Sequence, residues 1–238
     1  KIGTKCFELL NGIFFFFFYD LQEDKMYFCR DRIGIKPLYY YFDGNQFVFA
    51  SEIKAIKKLP DVNLEINKQS FSEFLHIGFV TEPYTAYKNI YKFPAGNFLV
   101  LDVKSLGAHT KLEFKEFWNL YDHILPDTFK NEKEVETTLE ALLVKAVESQ
   151  LVSDVPLGSF LSGGIDSSLI TALASKVKKD KIKTFSIGYQ NSKFDESAYA
   201  EKVAKALGTE HYAYKMTETD LEGILHEIID TYDEPFSD

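Results

Sequence analysis

The chain has 238 residues, of which 27 are Lys or Arg and 36 are Asp or Glu, giving a formal charge of −9. With 45% hydrophobic and 26% charged residues it has the make-up of an ordinary globular protein of one or two domains, able to bury roughly 70% of its unfolded surface, and global disorder is excluded. The longest apolar run, Ile13 to Tyr19, falls far short of the ~20 residues a membrane helix needs, and the acidic balance argues against nonspecific nucleic-acid binding. Two cysteines, Cys6 and Cys29, cannot build a disulfide framework, and no basic leader precedes an apolar segment with a small-residue cleavage site. A cytoplasmic protein without membrane or nucleic-acid partners is expected. The start at Lys1 and the stop after Asp238 read as an internal fragment.

Residues 1 to about 120 are expected to be β-rich. The phenylalanine run from Gly12 to Tyr19 predicts a strand buried on both faces. Tyr27 to Cys29 gives a second strand and Leu38 to Phe42 a third, which Asp43-Gly44 turns back into Phe47 to Ala50. A short helix begins at Ser51, with Ile53 and Ile56 on one face, and ends at Pro60. Another starts after Asn67 and is expected to bury Phe71, Phe74 and Leu75. A further strand runs from Gly96 to Val103.

Beyond residue 130 helices and strands alternate. Val135, Leu139, Leu142, Leu143, Ala146, Val147 and Leu151 mark an amphipathic helix over 132 to 151. Val155 to Leu161 follows as a strand. Ile165, Leu169, Leu173 and Val177 mark a helix opening straight after Gly163-Gly164. Then come a strand at Ile182 to Ile187, a helix at Asp195 to Leu207 closed by Gly208, a strand at His211 to Met216, and a helix striped by Leu221, Ile224, Leu225, Ile228 and Ile229. This alternation predicts a parallel sheet. The boundary is placed between Trp118 and Glu132, where Pro126-Asp127 breaks the pattern.

The chemistry concentrates in Ser162-Gly163-Gly164-Ile165-Asp166-Ser167-Ser168, between a strand and a helix N-terminus. The glycines let the backbone turn tightly and bring its N–H groups against an anion, and the helix adds unpaired amides and the positive end of its dipole. Three hydroxyls can donate to phosphate oxygens. Asp166 suits such a cradle when a divalent cation bridges it to phosphate, as Mg²⁺ does. No lysine follows the glycines, so this is not a loop for terminal phosphate transfer. At roughly 7% usage per position, six fixed residues arise by chance in such a chain with probability on the order of 10⁻⁵. A turn that merely joined strand to helix would account for the glycines but not for Asp166 among three serines.

This segment resembles the PP-loop of the ATP pyrophosphatases, which adenylate a carboxylate or carbonyl oxygen and release pyrophosphate. Upstream, Arg30-Asp31-Arg32-Ile33-Gly34-Ile35-Lys36-Pro37-Leu38-Tyr39-Tyr40 resembles the RDxxGxKPLYY segment of class II glutamine amidotransferases. Locally, Gly34 permits a left-handed turn, Pro37 sets the exit, and the arginines and aspartate are expected to pair across neighbouring strands. The two together resemble the glutamine-hydrolysing asparagine synthetases. Other segments agree: Leu10-Asn11-Gly12-Ile13-Phe14, Ser51-Glu52-Ile53-Lys54-Ala55 (SExKA in that family), Phe93-Pro94-Ala95-Gly96-Asn97, Phe117-Trp118, and Asp233-Glu234-Pro235-Phe236 (DEPF).

The resemblance implies residues 1–120 as the C-terminal part of a glutaminase domain, a four-layer αββα N-terminal-nucleophile sandwich. It implies 121–131 as linker and 132–238 as the N-terminal part of a parallel α/β PP-loop domain. It implies ATP and Mg²⁺ as cofactors, glutamine and aspartate as substrates, with a homodimer among the possible assemblies, and amidation of aspartate through a β-aspartyl adenylate. ATP would be held by Leu161, Ser162, Gly163, Gly164, Asp166, Ser167, Ser168 and Ile187, and the metal by Asp166. No catalytic or glutamine-binding residue falls within the chain, since the family's nucleophile is an N-terminal cysteine and a later acidic motif, SGEGxDE, lies beyond Asp238. Cys29 is expected to be a core thiol, Cys6 a helix residue packed near Phe7 and Leu10, and Asn11 a turn residue. The Phe-rich strand departs from the family's Phe/Ala alternation and is expected to crowd the space between the sheets. The five histidines have no metal-ligand spacing, and Tyr84 and Tyr87 are expected at the domain interface. A paralogue amidating another carboxylate, or a non-catalytic ATP-binding protein, would share the same loop.

Overall fold

The computed structural model describes residues 2–107, 110–124, 128–178, 180–189 and 195–235. The Pro126-Asp127 break, His109 and Phe236 lie outside them. The chain divides into two compact units, residues 1–125 with 226–238, and residues 126–225.

The first unit holds β1 (Phe15–Asp20), β2 (Lys25–Arg30), β3 (Tyr39–Phe42), β4 (Phe47–Ala50), α1 (Ile53–Lys57), α2 (Lys68–Ile77), β5 (Ile90–Lys92), β6 (Asn97–Asp102) and β7 (Phe114–Glu116). They form two antiparallel sheets, ordered β1-β2-β6-β7 and β4-β3-β5. The sheets pack face to face through Phe28, Leu99 and Leu101 on one side and Tyr40 and Phe49 on the other, with Phe28 and Phe49 edge to face at 4.9 Å. Strand alternation turns Tyr41 to the opposite face of its sheet, where it meets Ile53 and Ile56 of α1, both fully buried. The hairpin signal is realised: Asp43 Oδ1 accepts from the amides of Asn45 and Gln46, and Phe42 pairs with Phe47. Asn67 caps α2 by accepting from Gln69 and Ser70 amides, and Gly78 closes it in the left-handed region.

Two expectations about burial fail here. Among the described residues β1 is an edge strand paired only to β2, and Phe17 and Phe18 remain 42% and 55% exposed. Its rings do not crowd the inter-sheet space, because Phe15 and Phe17 settle 6.1 and 5.1 Å from Phe49, ordinary spacings for aromatic pairs. On α2, Phe71 and Leu75 are exposed and Phe74 only half-buried, while Ser70 is the buried residue. The helical period is right, but the side of α2 that is covered is the one carrying Ser70.

The second unit contains α3 (Glu132–Gln150), β8 (Gly158–Phe160), α4 (Ile165–Val177), β9 (Lys183–Tyr189), α5 (Ser197–Leu207) and β10 (Glu210–Met216). A last helix, α6 (Glu218–Thr231), starts in this unit and ends in the stretch assigned to the first. The strands form the expected parallel sheet, ordered β10-β9-β8. β9 alternates strictly, with Thr184, Ser186 and Gly188 enclosed and Phe185 and Ile187 open. α3 and α4 pack through Val147, Leu173 and Ala174. Of the stripes expected to be buried, Leu139, Leu142, Ile165 and Leu169 are exposed. Gly208 closes α5 at φ 67°, as its position demands. Helix α6 opens with a reciprocal cap in which Asp220 Oδ2 accepts from the Thr217 amide and Thr217 Oγ1 accepts from the Asp220 amide.

Candidate functional site

The loop Ser162–Gly164 leaves β8 and runs directly into α4. Leu161 donates its amide to Phe185 O at 2.8 Å, continuing the β8–β9 ladder to the brink of the loop. Its side chain is 1% exposed beneath Ala200 and Ala204 of α5, so its offering to a ligand is main chain. Gly163 then adopts φ +87°, and a Cβ there would stand 2.6 Å from both Tyr199 Cβ and the Ala200 amide nitrogen. Only glycine allows the loop to lie this close to α5. Gly164 is the N-cap of α4 and supplies no side chain to satisfy the first-turn amides.

The hydroxyls gather around this opening. Ser162 Oγ and Ser167 Oγ are 2.9 Å apart, and Ser162 Oγ also accepts from the Gly164 amide at 3.3 Å. Ser168 Oγ is enclosed and has no hydrogen-bond partner among the described residues. Asp166 is exposed in the first turn of α4 and forms no ion pair among the described residues. An uncapped helix start, a glycine loop and an orphaned buried hydroxyl suit an anion. One free carboxylate suits a Mg²⁺ held chiefly by phosphate oxygens, and no group of three or more acidic, His or Cys side chains among the described residues could hold a metal by itself. Ile187 lies two residues beyond Phe185 on β9, on the open face of the sheet and 55% exposed.

The sequence reading missed the support behind the loop. Gly188 leaves room for Asp195, whose Oδ1 would lie 2.5 Å from an added Cβ. The Ser197 hydroxyl and amide hold the Asp195 carboxyl below the usual carboxylate range. That anchor fixes the start of α5, and therefore Tyr199 and Ala200 against Gly163. Asp195 two residues ahead of Ser197 was visible as a helix-start pattern, but its approach to Gly188 was not.

The RDxxG segment is equally closed. Arg30, 6% exposed, donates Nε to Lys36 O at 2.9 Å, Nη2 to Gly34 O at 2.6 Å and Nη1 to Phe93 O, and pairs with Glu82 at 3.3 Å. Asp31 accepts from the amides of Ile35 and Lys36 at 2.9 and 2.8 Å. Gly34 is left-handed at φ +68°, as expected. The charges do not pair with one another across strands: the turn exposes main-chain groups that need partners, and the buried side chains satisfy those first.

Residues 1–118 match the sequence model of the glutamine amidotransferase domain, and residues 138–238 match that of asparagine synthase. Along its whole length the chain is similar to glutamine-hydrolysing asparagine synthetases. It is 36% identical to the "Putative asparagine synthetase (glutamine-hydrolyzing) 2" of Methanocaldococcus jannaschii, over 100% of this chain and 45% of that protein. It is 34% identical to asparagine synthetase (glutamine-hydrolyzing) 3 of Bacillus subtilis, over 97% of this chain and 38% of that one, and 31% identical to synthetase 1 of the same organism, over 96% and 35%. The chain thus spans less than half the length of these relatives.

Cys29 is a fully buried core residue, and burial pushes its thiol up to about 12. Cys6 lies in the 3-10 turns Gly3–Leu9 and is half-buried. At pH 8 a thiol titrating near 12 is ~10⁻⁴ thiolate. An alkylating reagent is therefore expected to modify Cys6 in the native protein and Cys29 only after denaturation, as read by peptide mass spectrometry.

Proposed function

We propose that this chain contributes to an enzyme that amidates aspartate to asparagine with ATP and glutamine. In this reading residues 1–120 are the C-terminal part of the class II glutaminase domain, an αββα sandwich, 121–131 are the linker, and 132–238 are the N-terminal part of the PP-loop synthetase domain. The observation that carries it is the uncapped glycine cradle at the start of α4, within a chain whose two halves match those two domains. Its two free cysteines accord with a cytoplasmic setting.

The Gly163 and Gly164 amides and the hydroxyls of Ser162, Ser167 and Ser168 hold the leaving pyrophosphate and stabilise the charge that grows on it. The main chain of Leu161 and the side chain of Ile187 flank the nucleotide. Asp166 would hold Mg²⁺, which when bound would supply charge neutralisation at the phosphates. The aspartate side-chain carboxylate attacks the α-phosphorus, the α–β bridge breaks and pyrophosphate departs. Ammonia from glutamine then attacks the activated carbonyl carbon and AMP leaves. Adenylation is needed because a free carboxylate has no adequate leaving group.

Two experiments on the intact protein test this. Aspartate labelled with heavy oxygen in its side-chain carboxylate is expected to yield labelled AMP, labelled asparagine and unlabelled pyrophosphate. Unlabelled AMP, or turnover only with a sugar acid or peptide, assigns the acceptor to a paralogue; absence of ATP turnover assigns the loop to binding alone. Asp166→Asn is expected to slow ATP turnover by about 100-fold or more, equivalent to roughly 2.7 kcal/mol of lost stabilisation. Equal turnover by both proteins across a magnesium titration would exclude Asp166 as the metal's carboxylate.

A further inference from the structure

Asp233 and Glu234 of the DEPF segment lie outside the nucleotide cradle, yet both are bonded into the first unit. After α6 ends, residues 232–235 belong to the first unit. Glu234 accepts the Ala86 amide on Oε1 at 2.8 Å and meets Lys92 Nζ through Oε2 at 3.1 Å, both side chains being more than four-fifths enclosed. Lys92 Nζ in turn donates to Val80 O at 2.7 Å. Asp233 Oδ1 accepts the Lys54 amide at 2.9 Å, and Lys54 Nζ donates to Thr231 O at 3.2 Å. Two segments 179 residues apart, each conspicuous in the sequence, are therefore bonded to each other: the SExKA helix through Lys54 and the DEPF segment through Asp233. Tyr39, Phe79, Tyr232 and Pro235 surround these polar groups, and the Tyr39 phenol is pushed up by burial and then by Glu234 and Asp233.

An ion pair this enclosed, with one main-chain hydrogen bond at each partner, is costly to break by halves and weak as a net source of stability, so its use is to fix geometry. α6 begins in the unit that carries the nucleotide loop, and the strap that follows it belongs to the unit matched by the glutamine amidotransferase domain. We propose that Asp233 and Glu234 are positioning residues that couple glutamine hydrolysis to ammonia consumption, by seating the chain leaving α6 on the SExKA helix and on β5. This rests on the function proposed above.

The test uses the full-length protein and compares glutamate released with asparagine formed, alongside synthesis driven by added ammonium. Glu234→Ala and Asp233→Ala are each expected to raise the glutamate-to-asparagine ratio by about fivefold or more while ammonium-driven synthesis persists. Glu234→Gln keeps an acceptor for Ala86 and for Lys92 and is expected to stay within about twofold of the parent, a rescue that a merely structural role would not require. Hydrogen exchange at the Lys54 and Ala86 amides should quicken in the alanine variants. An unchanged ratio in the double alanine variant, with those amides released, overturns the coupling role; amides that exchange equally fast in the parent overturn the strap itself. If the parent makes no asparagine from either nitrogen source, the function assigned above fails and the coupling with it, while the exchange data still report whether the strap is seated.

Discussion

Replacing Gly163 by alanine is expected to abolish ATP-dependent turnover and to destabilise the second unit. The methyl group would sit 2.6 Å from Tyr199 Cβ and from the Ala200 amide, contacts no rotamer can relieve because a Cβ has none. The backbone at φ +87° adds its own penalty for a residue with a side chain. Left-handed strain of about 1–2 kcal/mol and overpacking of about 1–3 kcal/mol together predict a loss on the order of 2–5 kcal/mol. Relief requires the loop and α5 to separate, which would displace the Gly163 and Gly164 amides from the positions proposed to hold pyrophosphate. Denaturant titration and nucleotide binding measure the two effects. Gly208→Ala is the control: it is also left-handed, at φ +67°, but nothing lies within 4 Å of its added Cβ. It should cost stability without loss of nucleotide binding.

The second large effect is expected at Arg30. Arg30→Met preserves much of the side-chain volume but removes the donors to Lys36 O, Gly34 O and Phe93 O, leaving these carbonyls unpaired in a region where Arg30 itself is 6% exposed. An unsatisfied buried acceptor costs about 1–3 kcal/mol, and breaking a buried charged network typically costs about 3–5 kcal/mol. A loss in the upper range is expected for the first unit, visible as a lowered denaturation midpoint. Arg30→Lys should recover little of it, because a single ammonium cannot reach acceptors that a planar guanidinium engages on separate nitrogens. The effect should be uncoupled from nucleotide affinity, since Arg30 has no role in the loop of the second unit. A midpoint within about 1 kcal/mol of the parent would show that water or relaxation satisfies the turn.

What could be read from the sequence is what short stretches of chain decide by themselves. Asp43-Gly44 specifies a tight hairpin, Asn67 starts a helix, Gly208 closes another, Gly34 marks a left-handed turn, and the alternation after residue 130 specifies parallel strands. All of these follow from dihedral preferences and from hydrogen bonds a few residues long. The candidate loop Ser162–Ser168 belongs to this class, because its amides, hydroxyls and carboxylate lie within seven consecutive residues. Tertiary structure decided which faces are covered. Periodicity states that α2 has an apolar side and that β1 could be buried, but not what comes to lie against them, so Phe71, Leu75 and Phe18 stay exposed. Nor could local pattern assign partners to buried polar groups. Arg30 turns to three carbonyls rather than to Asp31, Gly188 makes room for Asp195, and Asp233 finds the Lys54 amide 179 positions away. These pairings depend on distances that arise only when the sheets and helices pack, since a polar group removed from water takes the acceptor or donor that packing leaves nearest, whatever its place in the chain.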